Sequence, residues 1–537
     1  MNGHYDRTNI DLLADQKGTN MMNKRIWKKI CWIWLNITCL LVIVIALFYV
    51  IENISGRKAW ERYVKECETK NQTAASDLEK TYLWIEDIIP PAVDEEKNFA
   101  NIPLFKEVFR RAKEGLPDIN SDENKDLDES LEIWRLLLRS RGYYWYWLGE
   151  PDYTKVHRAD LKRIQKYTQA HDYEDIPKEE CISFLQEKLE PGLAGYENIR
   201  QALKEYPQCL YPVEYEKGFG AILPHLGVLN KISTVALMRT LIKQSLGQNN
   251  GALEDLFFIM DLGDTLSQGR MMMDVVYKGV IYEKALNIIW EGIESDCWTP
   301  EQLEQIQKRL KKWNIRTNLR MAMAAERTFI NNALKQDPHG FFAKDPEITF
   351  MDNFPYECIK RLIPTGWSYR ILLACNKRID QILSEFDAED RYYNVDRSLL
   401  NFANELNVKG VPKWAMEYSA HLGVYGVDKI LKAQFGIDAA RVACALERYR
   451  LENKKYPDSL EDLGELFPKE ELPRDCMDGE VLRYRTTDTG YLLWSVGWDK
   501  KDNGGVRHLY QKQDDGASLY YEDWVWEITR EKISEEK

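Results

Sequence analysis

The strongest constraint in this chain is the run from Ile30 to Ile51, ICWIWLNITCLLVIVIALFYVI, 22 residues without a charged side chain. As a helix it spans about 33 Å, matching a hydrocarbon core of about 30 Å. One membrane-crossing helix is therefore predicted. Trp27, Trp32 and Trp34 at one end and Phe48 and Tyr49 at the other suit the two interfaces, where an amphipathic ring keeps its polar tip wet. Asn36 and Thr38 can hydrogen-bond to the helix itself or to a neighbour. A cleaved signal peptide is the competing reading, and a weaker one. Its apolar region is usually about 7–15 residues, and no small-x-small cleavage site follows this run.

Orientation follows from Lys24, Arg25, Lys28 and Lys29, which stand directly before the span and favour a cytoplasmic N-terminus. The 20 residues on each side carry five Lys or Arg apiece, so proximity decides. The expected location is the cytoplasmic (inner) membrane, with residues 1–29 inside and the bulk outside; Met21 or Met22 is an alternative start. Residues 1–29 carry +3 (six Lys or Arg against three Asp), so the net charge of −13 leaves −16 beyond them. That acidity argues against a nucleic-acid surface, which concentrates Lys and Arg to displace counterions. The ten cysteines form no C-x-x-C pair, which argues against a zinc ribbon or thioredoxin motif and favours buried free thiols beyond the span.

The fold class expected is mainly α: the anchor helix, an irregular α-helical bundle or solenoid, and a small α+β C-terminal domain with a short antiparallel sheet. The divisions are 1–29, the span 30–51, a juxtamembrane helix and linker 52–130, a helical domain 131–425 and the last domain 426–537. The linker breaks at Ile88-Ile89-Pro90-Pro91, because proline removes a helix donor. Apolar residues at helical spacing predict a hairpin from Leu223–Leu246 and Ala252–Leu266. Further helices are predicted at Met271–Gly292, after Thr299-Pro300-Glu301, at Leu319–Leu334 and, interrupted by Pro364, at Cys358–Phe386. From Ala433 a helix runs to Tyr456-Pro457, and strands are predicted at Val481–Arg485, Tyr491–Val496 and Trp524–Ile528.

In this last region ALERYRLENKKYPDSL, DCMDG before LRYR, GYLLWSVGWDKKDNGG and EDWVWEI resemble the globular part of the major pseudopilin of type II secretion systems. The resemblance covers about 95 residues. It implies a calcium ion in the loop after the S-x-G turn, held at the matching acidic positions Asp499, Asp502 and Asp523. Asp514 and Asp515 are further oxygen donors nearby, and calcium takes six to eight such ligands from flexible loops. The alternative for DKKDNGG is a solvated turn. The anchor lacks the family's leader, Gly-Phe processing site and early Glu; Cys476 and Lys454 stand where the family has proline and glycine. Together with GRKAWERYVKECE, IIPPAV, NFANIPLF, FGAILPHL, GALEDL and MAAERTFI, the chain resembles uncharacterised single-pass membrane proteins of planctomycete and verrucomicrobial type. No activity comes with that resemblance.

No H-E-x-x-H, G-x-S-x-G, P-loop or dinucleotide-binding motif occurs. His157, His171, His225, His339, His421 and His508 are each isolated. Glu326 within MAMAAERTF is either a buried acid with a raised pKa or one half of an ion pair with Arg316 or Arg320. The aromatics Tyr143 to Trp147 are either core or a sugar-stacking surface. Two functions are expected from these features. One is an anchored envelope protein acting through contacts with other envelope proteins; the other is an anchored hydrolase or carbohydrate-binding protein with a pocket in the helical domain.

Overall fold

A computed structural model describes residues 8–74, 80–119, 178–313, 315–337, 363–385, 408, 411, 426–468, 471–506, 509–512, 518–521 and 523–530. The chain is mainly helical with a small antiparallel sheet near the C-terminus. The first helix, α1 (Thr8–Thr73), is one continuous element of 66 residues. It contains a stretch long and apolar enough to cross a membrane, with none of that stretch buried against the protein. Beyond Ile51 the burial changes to a stripe: Gly56, Trp60, Tyr63 and Cys67 are buried and their neighbours are half-buried or exposed. Steps of four, three and four residues place all four on one helical face.

The body is an irregular helical bundle. Its helices are α2 (Pro103–Glu114), α3 (Lys178–Leu189), α4 (Leu193–Glu205), α5 (Pro224–Ser245), α6 (Asn249–Asp264) and α7 (Met272–Glu294). They are followed by α8 (Pro300–Lys311), α9 (Ile315–Gln336), α10 (Thr365–Ser384) and α11 (Val427–Asn453). The expected hairpin is α5 and α6, and Thr299 caps α8 by accepting from the Gln302 N–H at 3.3 Å. Pro364 precedes α10 as its cap residue, and residues 358–362 of the helix expected at Cys358–Phe386 lie outside the described residues. The central element is α7, which packs on α5, α6, α9 and α11. Buried residues therefore occur on every face of α7, including Val275, Ile281, Leu286 and Trp290.

The C-terminal sheet has the order β1-β2-β5, all antiparallel, from β1 (Arg483–Thr486), β2 (Gly490–Ser495) and β5 (Trp524–Thr529). Between β2 and β5 stands a separate hairpin, β3 (Leu509–Lys512) with β4 (Ser518–Tyr521), where the sequence predicts only a loop. The sheet is bound to the bundle: Trp290 donates from Nε1 to the Glu527 carbonyl at 2.8 Å, and Glu294 accepts from the Thr529 N–H at 2.9 Å. Arg530 joins Glu447 of α11 at 2.8 Å and Asp296 at 2.5 Å. One continuous apolar core runs from Trp60 in α1 to Ile528 in β5.

Candidate functional site

Three places combine buried polar groups with a position that function could use. The first is the junction between anchor and body. Here α10 lies against α1, and a Cβ built on Gly56 would stand 2.2 Å from the Gly366 carbonyl oxygen. Asn53 accepts from the Gly366 N–H at 2.9 Å, Arg370 pairs with Glu52 at 3.1 Å, and Phe48 meets Trp367 edge to face at 6.3 Å. Farther along, Tyr63 donates to Asp380 Oδ2 at 2.7 Å, while Arg327 of α9 donates to Asp380 Oδ1 at 2.6 Å. Burial, and to a lesser degree Asp380, hold the Tyr63 hydroxyl protonated far above its ordinary range, although Arg327 pulls the other way. Asn331 and Asn376 continue the seam, with Asn376 Nδ2 donating at 2.8 Å.

Glu326 behaves as an isolated acid. Among the described residues it makes no ion pair: Arg327 is taken by Asp380, and Arg316 lies 3.9 Å from Asp438. Although the residue is half-buried, burial of the carboxyl pushes its pKa up to about 7, against the pull of a hydrogen bond from the Met272 N–H. Of the two expectations for Glu326, the raised pKa is the one this geometry supports.

The second place is a cavity of about 10 Å³ lined by residues including Cys209, Tyr211, His225, Thr265, Gln268 and Asp274. That is room for about one water. His225, 1% exposed, stacks against Tyr211 at 4.1 Å and against Phe109 at 5.4 Å, and its Nε2 lies 3.4 Å from Asp274. Its Nδ1, with Asp274 Oδ1 and Gln268 Oε1, has no hydrogen-bond partner among the described residues. A water bridging these atoms would satisfy buried groups that otherwise cost about 1–3 kcal/mol each. Nearby, Lys284 is 2% exposed and donates to the Asn230 carbonyl at 2.9 Å, to Ser233 Oγ at 2.6 Å and to Asn230 Oδ1. Burial pushes its pKa down to about 7.

The third place is the acidic loop. Asp523 accepts from the Asn503 N–H at 3.1 Å and the Gly505 N–H at 2.8 Å. Asp502 accepts from Trp494 Nε1 and the Gly504 N–H, both at 2.9 Å, and Asp499 accepts from the Lys501 N–H at 3.2 Å. Arg483 lies 3.8 Å from Asp502 and bonds to buried Asp475 at 2.7 Å and to Asp478. The three carboxylates thus face N–H donors, which repel a cation, and a guanidinium already supplies positive charge. Among the described residues no three His, Cys, Asp or Glu side chains gather so as to hold a metal.

Cys67, Cys209, Cys375, Cys444 and Cys476 are buried free thiols, as expected. Tyr143 to Trp147, Asp514, Asp515, His157, His171, His339, His421 and His508 lie outside the described residues. Sequence reasoning missed Asp274, Lys278 and Lys284; the signal available was a charge recurring inside the otherwise apolar helix MMDVVYKGVIYEKALNIIW. No protein-family model, curated protein or solved structure matches the chain.

Proposed function

We propose that the chain is a single-pass membrane-anchored envelope protein, with residues 1–29 inside, that holds its helical body and C-terminal unit outside the cytoplasmic membrane for contacts with other envelope proteins. The observation that carries this reading is the docking of α10 on α1 immediately beyond the span. Phe48, Glu52, Asn53 and Gly56 all belong to one helix and all engage α10. A tether that only localised a domain would not need a stapled junction with a buried stripe. The Lys24 to Lys29 cluster supports the orientation, and the −16 beyond residue 29 would hold the body off an anionic bilayer surface.

The cavity at His225 has room for about one water and would not itself take a sugar. The test is a topology reporter fused after Lys537, combined with in-membrane cross-linking of the native protein. Activity of an extracytoplasmic reporter, with cross-links mapping to the body's surface, is expected. A cytoplasmic reporter signal would overturn the orientation, and recovery of the chain without any cross-linked protein would overturn the contact role.

A further inference from the structure

We propose that Ser267, Lys278 and Asn318 form an acyl-transfer site, with Ser267 as nucleophile, Lys278 as its general base and Asn318 as the residue that positions the amine. This goes beyond the anchored-scaffold reading and does not rest on it. Ser267 lies in the turn after α6 and is half-buried, whereas Lys278, on α7, is buried at 4% exposure. Lys278 Nζ lies 2.9 Å from Ser267 Oγ and 3.1 Å from Asn318 Oδ1. Asn318 Nδ2 also donates to the Ser267 carbonyl at 2.9 Å, so one amide fixes both the base and the backbone of the nucleophile. These are the relations that an activated hydroxyl requires: nucleophile to base, then base to orienting group.

The protonation state fits the role. Burial pushes the Lys278 pKa down to about 8, opposed by Asp264 and reinforced by Arg309, so a substantial fraction of the amine is neutral at mildly alkaline pH. The charged groups facing it are Asp264 and Arg309, which neutralise one another at 2.7 Å, and the Tyr282 ring stands 5.3 Å from Nζ. When the amine is neutral the hydrogen bond reverses, and Ser267 Oγ–H donates to Nζ. The N–H of Gln268, next in the chain, has no partner among the described residues and is the oxyanion donor we assign.

The substrate class is a carboxylic ester or amide. Ser267 Oγ attacks the carbonyl carbon, its proton passes to Lys278 Nζ, and the carbonyl electron pair moves onto oxygen. Collapse expels the alcohol or amine, which takes the proton from the Lys278 ammonium. Water then attacks the acyl-serine, losing its proton to Lys278, and that proton returns to Ser267 as the acid leaves.

The fold contains its own comparison. Lys284 touches Ser233 Oγ at 2.6 Å, but Ser233 is 0% exposed, so the same pair of side chains is sealed there. The full-length protein in detergent is treated with a fluorophosphonate probe between pH 6 and 10, and the labelled peptide is mapped. Labelling at Ser267 at least tenfold over Ser233 is expected, rising with a midpoint near pH 8 and lost in Ser267→Ala. In Lys278→Met it should fall at least tenfold with the helical circular dichroism unchanged. Asn318→Asp, which places a carboxylate beside the amine, should move the midpoint to higher pH, a shift that a purely structural role would not produce. An unlabelled Ser267 at pH 9 in the folded wild-type protein would overturn the proposal. So would labelling that ignores Lys278→Met. Should Lys278→Met fail to fold, the wild-type map and the Asn318→Asp midpoint decide the question on their own.

Discussion

Gly56 and Gly366 meet backbone to backbone. A Cβ on Gly366 would lie 2.0 Å from the Glu52 carbonyl oxygen, and one on Gly56 would lie 2.2 Å from the Gly366 carbonyl oxygen. Neither obstacle is a flexible side chain, so any larger residue must push the two helices apart.

Gly56→Ala and Gly366→Ala are each expected to destabilise by about 1–3 kcal/mol, the usual cost of overpacking. Thermal melts of the detergent-solubilised protein read this. Melting temperatures equal to wild type for both variants would refute the close approach of α1 and α10.

Arg327 is 1% exposed at its side chain, and its partner Asp380 is 39% exposed. Removing Asp380 leaves a buried guanidinium with its main counter-charge gone. Asp380→Ala should cost about 2–3 kcal/mol, below the range for fully buried pairs because water reaches the carboxylate. Arg327→Met combined with Asp380→Leu should recover most of that loss, and a double variant less stable than Asp380→Ala would contradict this account.

Glu326 and Lys284 give stability opposite slopes with pH. Glu326 binds its proton more tightly when folded, at about 7 against an unfolded value of about 4.3. Its contribution is therefore complete below about pH 4 and lost as pH rises through 7. Lys284 has the reverse sign: its folded value of about 7 lies below an unfolded value of about 10.4. That contribution is present above about pH 10 and lost as pH falls through 7. The melting temperature of Glu326→Gln should rise relative to wild type as pH goes from about 4 to 7, and that of Lys284→Met as pH goes from about 10 to 7. A Glu326→Gln difference from wild type that does not change between about pH 4 and 7 would overturn the raised value of its carboxyl.

Arg483 is expected to hold the acidic loop in place of a metal. Millimolar calcium should leave the melting temperature unchanged, while Arg483→Ala should lower it, since Asp475 is 0% exposed and would lose a charged donor. A calcium-dependent rise of several degrees would overturn this reading of Asp499, Asp502 and Asp523.

Lys454 ends α11 with φ +61°, the left-handed conformation that a side chain resists. Lys454→Gly should stabilise by about 0.5–1 kcal/mol. Its N–H donates to the Arg450 carbonyl at 2.8 Å, a bond glycine retains.

Most helices were legible because periodicity and punctuation agree there: Thr299-Pro300 starts α8, and Gly247-Gln248 makes the hairpin turn, with Asn249 to Gly251 already opening α6. The charged stretch after the span reads as a helix, but its merger with the span into one element depends on Trp60, Tyr63 and Cys67 finding α10 more than 300 residues away. No local pattern encodes that partner. The candidate sites were less legible for the same reason. Ser267 and Lys278 are 11 residues apart, and Asn318 is 40 beyond Lys278, so only the packing of α7 against α9 brings the three together. In the acidic loop the sequence supplies carboxylates suited to a metal, and the fold turns backbone N–H groups toward them.

The uninterrupted α1 has a mechanical consequence. At 3.6 residues per turn, inserting one residue between Ile51 and Gly56 would rotate the buried stripe by about 100° relative to the face the span offers to lipid. The body would be turned about the membrane normal like a key on its shaft and raised by about 1.5 Å. Helical phase along a single rod therefore fixes which way the body points, and any torque on the segment before Trp27 would reach Tyr63 and Asp380 without a joint to absorb it.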